Sequence, residues 1–231
     1  MQTIGLIGGM SWESTQAYYC LINQQVRERL GGLHSARLVL YSVDFAEIEA
    51  LQHRGDWAAT AEILVSAARA LEAAGADFLI LCTNTMHIVA PQIEQAVALP
   101  LLHLADATAS VLIEDGVTRV GLLGTRFTME QAFYRQRLEA RGIEVLVPGD
   151  AQREVIHDVI YRELCQGVTT ADSKAAYLGV VDDLARRGAQ GVILGCTEIG
   201  LLIQAEDTEV PLYDTTAIHA EQAVRRALGQ G

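Results

Sequence analysis

Basic side chains are scarce in this chain: 17 Lys and Arg stand against 29 Asp and Glu, the formal net charge is -12, and Lys174 is its single lysine. No Lys/Arg block occurs, which argues against a general grip on nucleic-acid phosphates, because that mode needs a positive patch. The acidity itself favours solubility, and one local cationic pocket can still hold an anion against it. No apolar run approaches the roughly 20 uninterrupted residues of a membrane span. The start Met1-Gln-Thr-Ile-Gly5 lacks the charged-then-apolar layout of a signal peptide, so the expected location is cytoplasmic. Cys20, Cys82, Cys165 and Cys196 have no CxxC spacing and lie in or beside apolar segments, which fits reduced thiols better than a disulfide framework. The histidines are scattered without an HxxxH pair, so no metal is expected. Gly5-Leu-Ile-Gly-Gly9 is not spaced as GxGxxG, and Asp44 is poorly placed as a ribose-binding acid, so a dinucleotide is disfavoured.

What the chain does have is alternation. Its 231 residues are 50% hydrophobic, enough for one large or two small α/β domains. Strands are expected at 3–8, 38–43, 78–82, 101–104, 119–123, 144–147, 191–195 and 210–213. Helices are expected at 15–29, 57–74, 129–141, 172–187 and 216–228, several of them stopping at a glycine such as Gly75, Gly142 or Gly188. Strands alternating with helices imply mostly parallel sheets with helices on both faces.

The alternation is also a repeat. Ile4-Gly-Leu-Ile-Gly8 matches Val120-Gly-Leu-Leu-Gly124, Leu79-Ile-Leu-Cys82 matches Val192-Ile-Leu-Gly195, and the stretch from Leu99 to Asp106 resembles that from Val210 to Asp214. The order is the same in both halves, at offsets of 116, 113 and 111 residues. The expectation is an α/β protein of two pseudo-twofold-related Rossmann-like domains, residues 1–112 and 113–231, with residues from about 213 to 231 able to pack back onto the first. The site is expected in the cleft between them, at the carboxyl ends of the strands, where an open α/β sheet exposes chemistry.

Two of those strand ends carry polar clusters, Phe78-Leu-Ile-Leu-Cys-Thr-Asn-Thr-Met86 and Val192-Ile-Leu-Gly-Cys-Thr-Glu-Ile199. Setting Leu81 against Leu194 puts Cys82 opposite Gly195 and Thr83 opposite Cys196. The partner of Cys196 is then the hydroxyl of Thr83, and Cys82 turns into its own domain.

Gly8-Gly-Met-Ser-Trp-Glu-Ser-Thr15, Cys82-Thr-Asn-Thr-Met-His87 and Gly195-Cys-Thr-Glu-Ile199 together resemble the aspartate/glutamate racemase family, over essentially the whole chain. The resemblance implies inversion at the α-carbon of an amino acid without pyridoxal phosphate or other cofactor. One group removes the α-proton and another, on the opposite face, returns one. Most relatives use two cysteines. With Thr83 in the first position, the chain resembles the atypical Thr/Cys subgroup acting on L-aspartate and L-glutamate, with Cys196 as the base and Thr83, or a water it holds, on the other face. A thiol with an ordinary pKa of about 8.5 can be tuned toward thiolate near neutrality, whereas a hydroxyl needs far stronger activation. Unequal activity toward the two enantiomers follows.

Asn84, Thr85 and Thr197 are carried over from the family motifs as donors to the substrate's α-carboxylate or amino group. Thr125 and Thr128 are either anion-binding groups at a helix start or simple N-caps. Met10 and Ser11 shape the pocket after the first strand, or Ser11 caps the next helix. Gln52 and Arg54, in a Gln-His-Arg-Gly-Asp loop, are the candidates for the distal carboxylate, against the alternative of a solvated surface charge. Relatives often place a lysine in a Glu-Leu-Lys-x-Gly stretch for that purpose, where this chain reads Glu163-Leu-Cys-Gln-Gly167, with Cys165 read as a buried helix residue. His87 either tunes Thr83 or Glu198 or is structural, and Glu198 either relays protons or sits in a helix first turn. Partners are a small-molecule amino acid and a second copy of the chain as a homodimer, with no nucleic acid and no membrane. Two other functions compete: another cofactor-independent reaction of the superfamily (hydantoin racemase, maleate isomerase, decarboxylase), and a non-catalytic amino-acid sensor.

Overall fold

The computed structural model describes residues 1–230 and divides into two compact units, Met1–Leu104 with the segment from His219 on, and Ala105–Ile218. The first unit contains β1 (Ile4–Gly8), α1 (Trp12–Leu30), β2 (Leu38–Ser42), α2 (Phe45–Arg54), α3 (Trp57–Ala73), β3 (Phe78–Leu81) and α4 (Ala90–Ala96). Next come α5 (Leu104–Glu114), β4 (Arg119–Gly124), α6 (Arg126–Glu130), α7 (Ala132–Glu139), β5 (Glu144–Leu146), α8 (Asp150–Arg162), α9 (Ala171–Arg186), β6 (Val192–Gly195), α10 (Ile199–Leu202) and β7 (Leu212–Asp214). A last helix, α11 (Thr215–Ala227), begins in the second unit and runs into the first. Among the described residues no helix is long and apolar enough to cross a membrane.

Both sheets are parallel and ordered alike. The first runs β2-β1-β3, extended by a single bridge from Leu79 to Leu101, and the second runs β5-β4-β6-β7. The repeat found in the sequence is thus a repeat of topology, with the strand from each Ile/Val-Gly-Leu segment at the centre.

Period-two alternation explains how each central strand is buried on both faces. In the first unit Ile4, Leu6, Phe78, Ile80 and Cys82 join Tyr18, Ile22 and Val26 of α1 and Ala223 and Val224 of α11 in one apolar cluster. Ile7, Leu79 and Leu81 point the other way, into a cluster with Leu64, Ala67, Ala68 and Leu71 of α3 and Ile93 of α4. In the second unit Leu123, Val192 and Leu194 pack with Ile156 and Ile160 of α8 and Tyr177, Val181 and Leu184 of α9. Truncating one such fully buried leucine to alanine costs about 2–5 kcal/mol.

Where the sequence expectation and the structure part, local chemistry explains the difference. The expected strand at 101–104 shrinks to the one bridge at Leu101, and Leu104 already opens α5. The Gln-His-Arg-Gly-Asp loop is instead the end of a helix. Asp44 caps α2 through a 3.0 Å bond from the Ala46 N–H, Ile48 and Gln52 bury one face, and Gly55 stops the helix at φ +69°. Helix α8, additional to the five helices expected from periodicity, is an amphipathic stretch burying Ile156, Val159 and Ile160. Cys165, read as a buried helix residue, is exposed in the 3-10 turn Leu164–Gln166.

Candidate active site

The ladders fix the equivalence of the two strand ends without reference to side chains. In the first sheet Leu81 pairs with Ile7, and in the second Leu194 pairs with Leu123. Ile7 and Leu123 occupy the same place in the repeated central strand, so Cys82 corresponds to Gly195 and Thr83 to Cys196. Gly195 has a packing reason to lack a side chain: a Cβ there would stand 2.6 Å from the Leu123 carbonyl oxygen and 3.2 Å from a Thr128 methyl.

At the end of β6 the chain turns through Cys196, Thr197 and Glu198, all half-buried. The Cys196 thiol donates to Glu198 Oε2 at 2.9 Å, and the Thr197 hydroxyl donates to the same oxygen at 2.8 Å. The turn is held by the Ile199 N–H on the Cys196 carbonyl at 3.1 Å. Burial and, after it, the Glu198 carboxylate push the Cys196 thiol well above its ordinary range. The sulfur leans on the apolar cluster that contains Tyr177, whose own hydroxyl is pushed up by burial first and then by the charges of Cys196, Glu163 and Cys165. Tyr177 donates to the Ile156 carbonyl at 2.9 Å. Asp214, at the end of β7, caps α11 by accepting from the N–H groups of Thr216 (2.8 Å) and Ala217 (3.2 Å).

At the end of β3 the same register gives a different chemistry. Cys82 is fully buried; its N–H donates to the Ile7 carbonyl at 2.9 Å, its carbonyl accepts from the Ser14 hydroxyl at 2.9 Å, and burial drives its thiol far up. It is a core residue. Thr83 is half-buried and follows it directly. The Thr83 carbonyl is 2.9 Å from His87 Nδ1, while His87 Nε2 accepts from the Leu104 N–H at 3.2 Å. Those two partners fix the neutral tautomer with the proton on Nδ1, so His87 clamps the backbone of the Thr83 turn.

The remaining expected residues fall into two groups. Asn84 and Thr85 are buried in the turn after Thr83, and Thr197 lies beside Cys196. Thr125 is the N-cap of α6, accepting from the Thr128 N–H at 3.4 Å, with the two hydroxyls 3.3 Å apart, so capping is one role the structure assigns them. Met10 packs into the apolar cluster under β1, and Ser11 caps α1 through the Ser14 N–H at 3.2 Å. Gln52 is buried at the end of α2, whereas Arg54 is exposed. Lys174 is tied to Asp207 at 2.7 Å. No group of three or more His, Cys, Asp or Glu among the described residues could hold a metal.

Of the two roles expected of Glu198, relay or first-turn carboxylate, neither anticipates the one oxygen that accepts from both Cys196 and Thr197. The signal that marks it out is its i+2 spacing from Cys196 in a turn, where side chains two apart can reach one another.

Residues 7–223 match the family described as Asp/Glu/hydantoin racemase. The chain is 56% identical to a Yersinia pestis protein proposed to be an Asp/Glu racemase, whose crystal structure superposes with a TM-score of 0.95 over 99% of this chain and 100% of that one. It is 35% identical to an aspartate racemase homologue from Pyrococcus horikoshii OT3, with a TM-score of 0.88 over 99% and 100% of the two chains. Its identity to RacX of Bacillus subtilis, a broad specificity amino-acid racemase, is 24% over 96% of each chain.

Proposed function

Since the chain belongs to the Asp/Glu/hydantoin racemase family, we propose that it is a cofactor-independent amino-acid racemase acting on L-aspartate and L-glutamate, with Cys196 and Thr83 as the acid/base pair. The observation that carries this reading is the pair of equivalent strand ends: the thiol of Cys196 at one, hydrogen-bonded to the Glu198 carboxylate, and the hydroxyl of Thr83 at the other.

The chemistry runs in two halves. Cys196 thiolate takes the α-proton, leaving the electron pair on the substrate's α-carbon and carboxylate, where N–H and hydroxyl donors are needed to hold the charge. Asn84, Thr85 and Thr197 supply such donors in this reading, with Thr125 and Thr128 adding an anion site. Thr83, or a water it holds, delivers a proton from the opposite face. An alcohol is a far weaker acid than a thiol, so the two enantiomers turn over at unequal rates at saturation, while kcat/KM stays equal for both because their equilibrium constant is one. Gln52 and Arg54 are the groups proposed for the distal carboxylate; a guanidinium binds a carboxylate bidentately. A solution dimer in the cytoplasm completes the reading.

The test is incubation of the purified chain with each enantiomer of aspartate, glutamate and several neutral amino acids, without cofactor, followed by chiral chromatography. Conversion of L-aspartate or L-glutamate, lost in Cys196→Ser, is the expected result. Binding without turnover would make the protein a sensor, and turnover of hydantoins or maleate alone would move it to another reaction of the superfamily.

A further inference from the structure

The first unit buries three histidine rings in one place, and the central one reaches the turn that carries Thr83. His87 packs edge-on against His103, with ring centres 4.5 Å apart, and against His219, 5.9 Å away. All three are buried, and all belong to the first unit. His219 is held by the Tyr18 hydroxyl and the Leu102 carbonyl, and His87 Nε2 accepts from the Leu104 N–H. Two histidines thus grip alternate residues of one segment, 102–104, where the chain is about to leave the first unit for the second. The other end of the His87 ring faces the Thr83 turn. A backbone N–H can only donate, so Nε2 is the unprotonated nitrogen. The ring proton sits on Nδ1, 2.9 Å from the Thr83 carbonyl and 3.3 Å from that of Asn84.

The second half holds its strand end differently. There the Cys196 carbonyl accepts from the Ile199 backbone N–H at 3.1 Å, and the residue four places after Cys196, as His87 is four places after Thr83, is Gly200. A glycine has no ring to offer, so this clamp belongs to the threonine side. A threonine hydroxyl stands on Cβ, and its direction is set by the backbone of its own residue and by χ1 alone. We propose that His87 is a positioning residue for Thr83: its neutral ring, anchored by Leu104 and flanked by two further histidines, holds the Thr83 backbone so that the hydroxyl keeps one χ1 rotamer. That rotamer is the one from which a proton reaches the substrate's α-carbon. The inference rests on the racemase reading for the use of the rotamer, and on the ring's contacts for its existence. His87 touches no substrate atom in this account, and proton transfer to Cys196 does not pass through it.

Two substitutions separate the two ends of the ring. Asparagine places an amide N–H as many bonds from Cα as Nδ1 and keeps the donor to Thr83. Glutamine places an amide oxygen as far out as Nε2 and keeps the acceptor for Leu104. Without substrate, NMR reads the ring nitrogens, the exchange of the Leu104 amide, and the three-bond couplings of the Thr83 methyl carbon, which report χ1. The wild type is expected to carry its ring proton on Nδ1 and to show one Thr83 rotamer. His87→Asn should keep that rotamer while its Leu104 amide exchanges about tenfold faster, and His87→Gln should keep the amide protected but average the rotamers. With substrate in heavy water, starting from the enantiomer that Cys196 serves, His87→Gln should slow inversion about tenfold or more. Its α-proton exchange and KM should stay within about twofold of the wild type's, whereas a loss of stability alone would lower exchange and inversion together. His87→Asn should restore most of the inversion. A ring proton on Nε2, a single Thr83 rotamer in His87→Gln, equal losses of inversion and exchange, or inversion in His87→Asn no faster than in His87→Gln would overturn the proposal. If either variant fails to fold, the wild type decides: Nδ1–H with one rotamer upholds the proposal, and Nε2–H or averaged couplings overturn it. A wild type that neither exchanges nor inverts sinks the racemase reading, and the substrate-free couplings then judge His87 by themselves.

Discussion

Acid should loosen the first unit at one identifiable histidine. His219 lies fully buried on α11, its Nε2 2.8 Å from the Leu102 carbonyl and its Nδ1 2.9 Å from the Tyr18 hydroxyl. The carbonyl can only accept, so Nε2 carries the proton and Nδ1 receives the tyrosine's. Burial lowers the ring's pKa to about 4, with the bond to Leu102 pulling slightly the other way. An unfolded histidine titrates near 6.5. Between those values the unfolded chain binds a proton that the folded one refuses, so the stability His219 contributes is complete above about pH 6.5 and declines as the pH falls toward 4. The whole shift amounts to about 3 kcal/mol, and the part lost between pH 7 and pH 5 to about 2 kcal/mol. Asp214 works oppositely, because burial raises its carboxyl pKa and acid then favours the folded form. A comparison with His219→Gln cancels that term. Thermal melts at pH 7 and pH 5 should show the wild type losing about 4–8 °C more than the variant, and the His219 ring should titrate near pH 4 by NMR. Parallel losses in the two proteins, or a ring titrating above pH 6, would refute the reasoning.

Other outcomes follow from single contacts. Gly9→Ala should destabilise the protein severely, since φ there is +95° and a Cβ would stand 2.2 Å from the Val43 carbonyl oxygen; a melt within about 1 °C of the wild type's would contradict this. Thr15→Val should cost about 1–3 kcal/mol in urea unfolding, because the Thr15 hydroxyl accepts from the Gly9 N–H at 2.8 Å and donates to the Ser11 carbonyl at 2.9 Å. Gly195→Ala should lower activity at least tenfold while costing about 1–3 kcal/mol of stability, its new Cβ pushing the Cys196 turn off Leu123; chiral chromatography beside a melt measures both. Thr83→Val should remove racemisation but keep α-proton exchange from the enantiomer that Cys196 serves, read by NMR in heavy water.

Much of this was legible because parallel strands buried on both faces are written as unbroken apolar runs. Ile4-Gly-Leu-Ile-Gly8 and its copy at 120 identified the central strands, and the copy fixed the register that sets Thr83 against Cys196. Edges and helix ends were less legible, because there one residue decides. Gly55 and the Asp44 cap turned an expected loop into α2, and Leu101–Leu104, apolar enough for a strand, gave way to α5 after one bridge. The site's polar contacts were least legible of all. The sequence offered two fates for Glu198 and two for His87, and only the placement of side chains shows one oxygen serving both Cys196 and Thr197, or one ring joining the Thr83 carbonyl to the Leu104 N–H.

The most direct measurement of the account is α-proton exchange in heavy water, followed by NMR on L-aspartate and L-glutamate with no added cofactor. The account predicts loss of the α-proton signal with the wild type and none with Cys196→Ala. An intact signal with the wild type on both substrates, or exchange that survives Cys196→Ala, would contradict it.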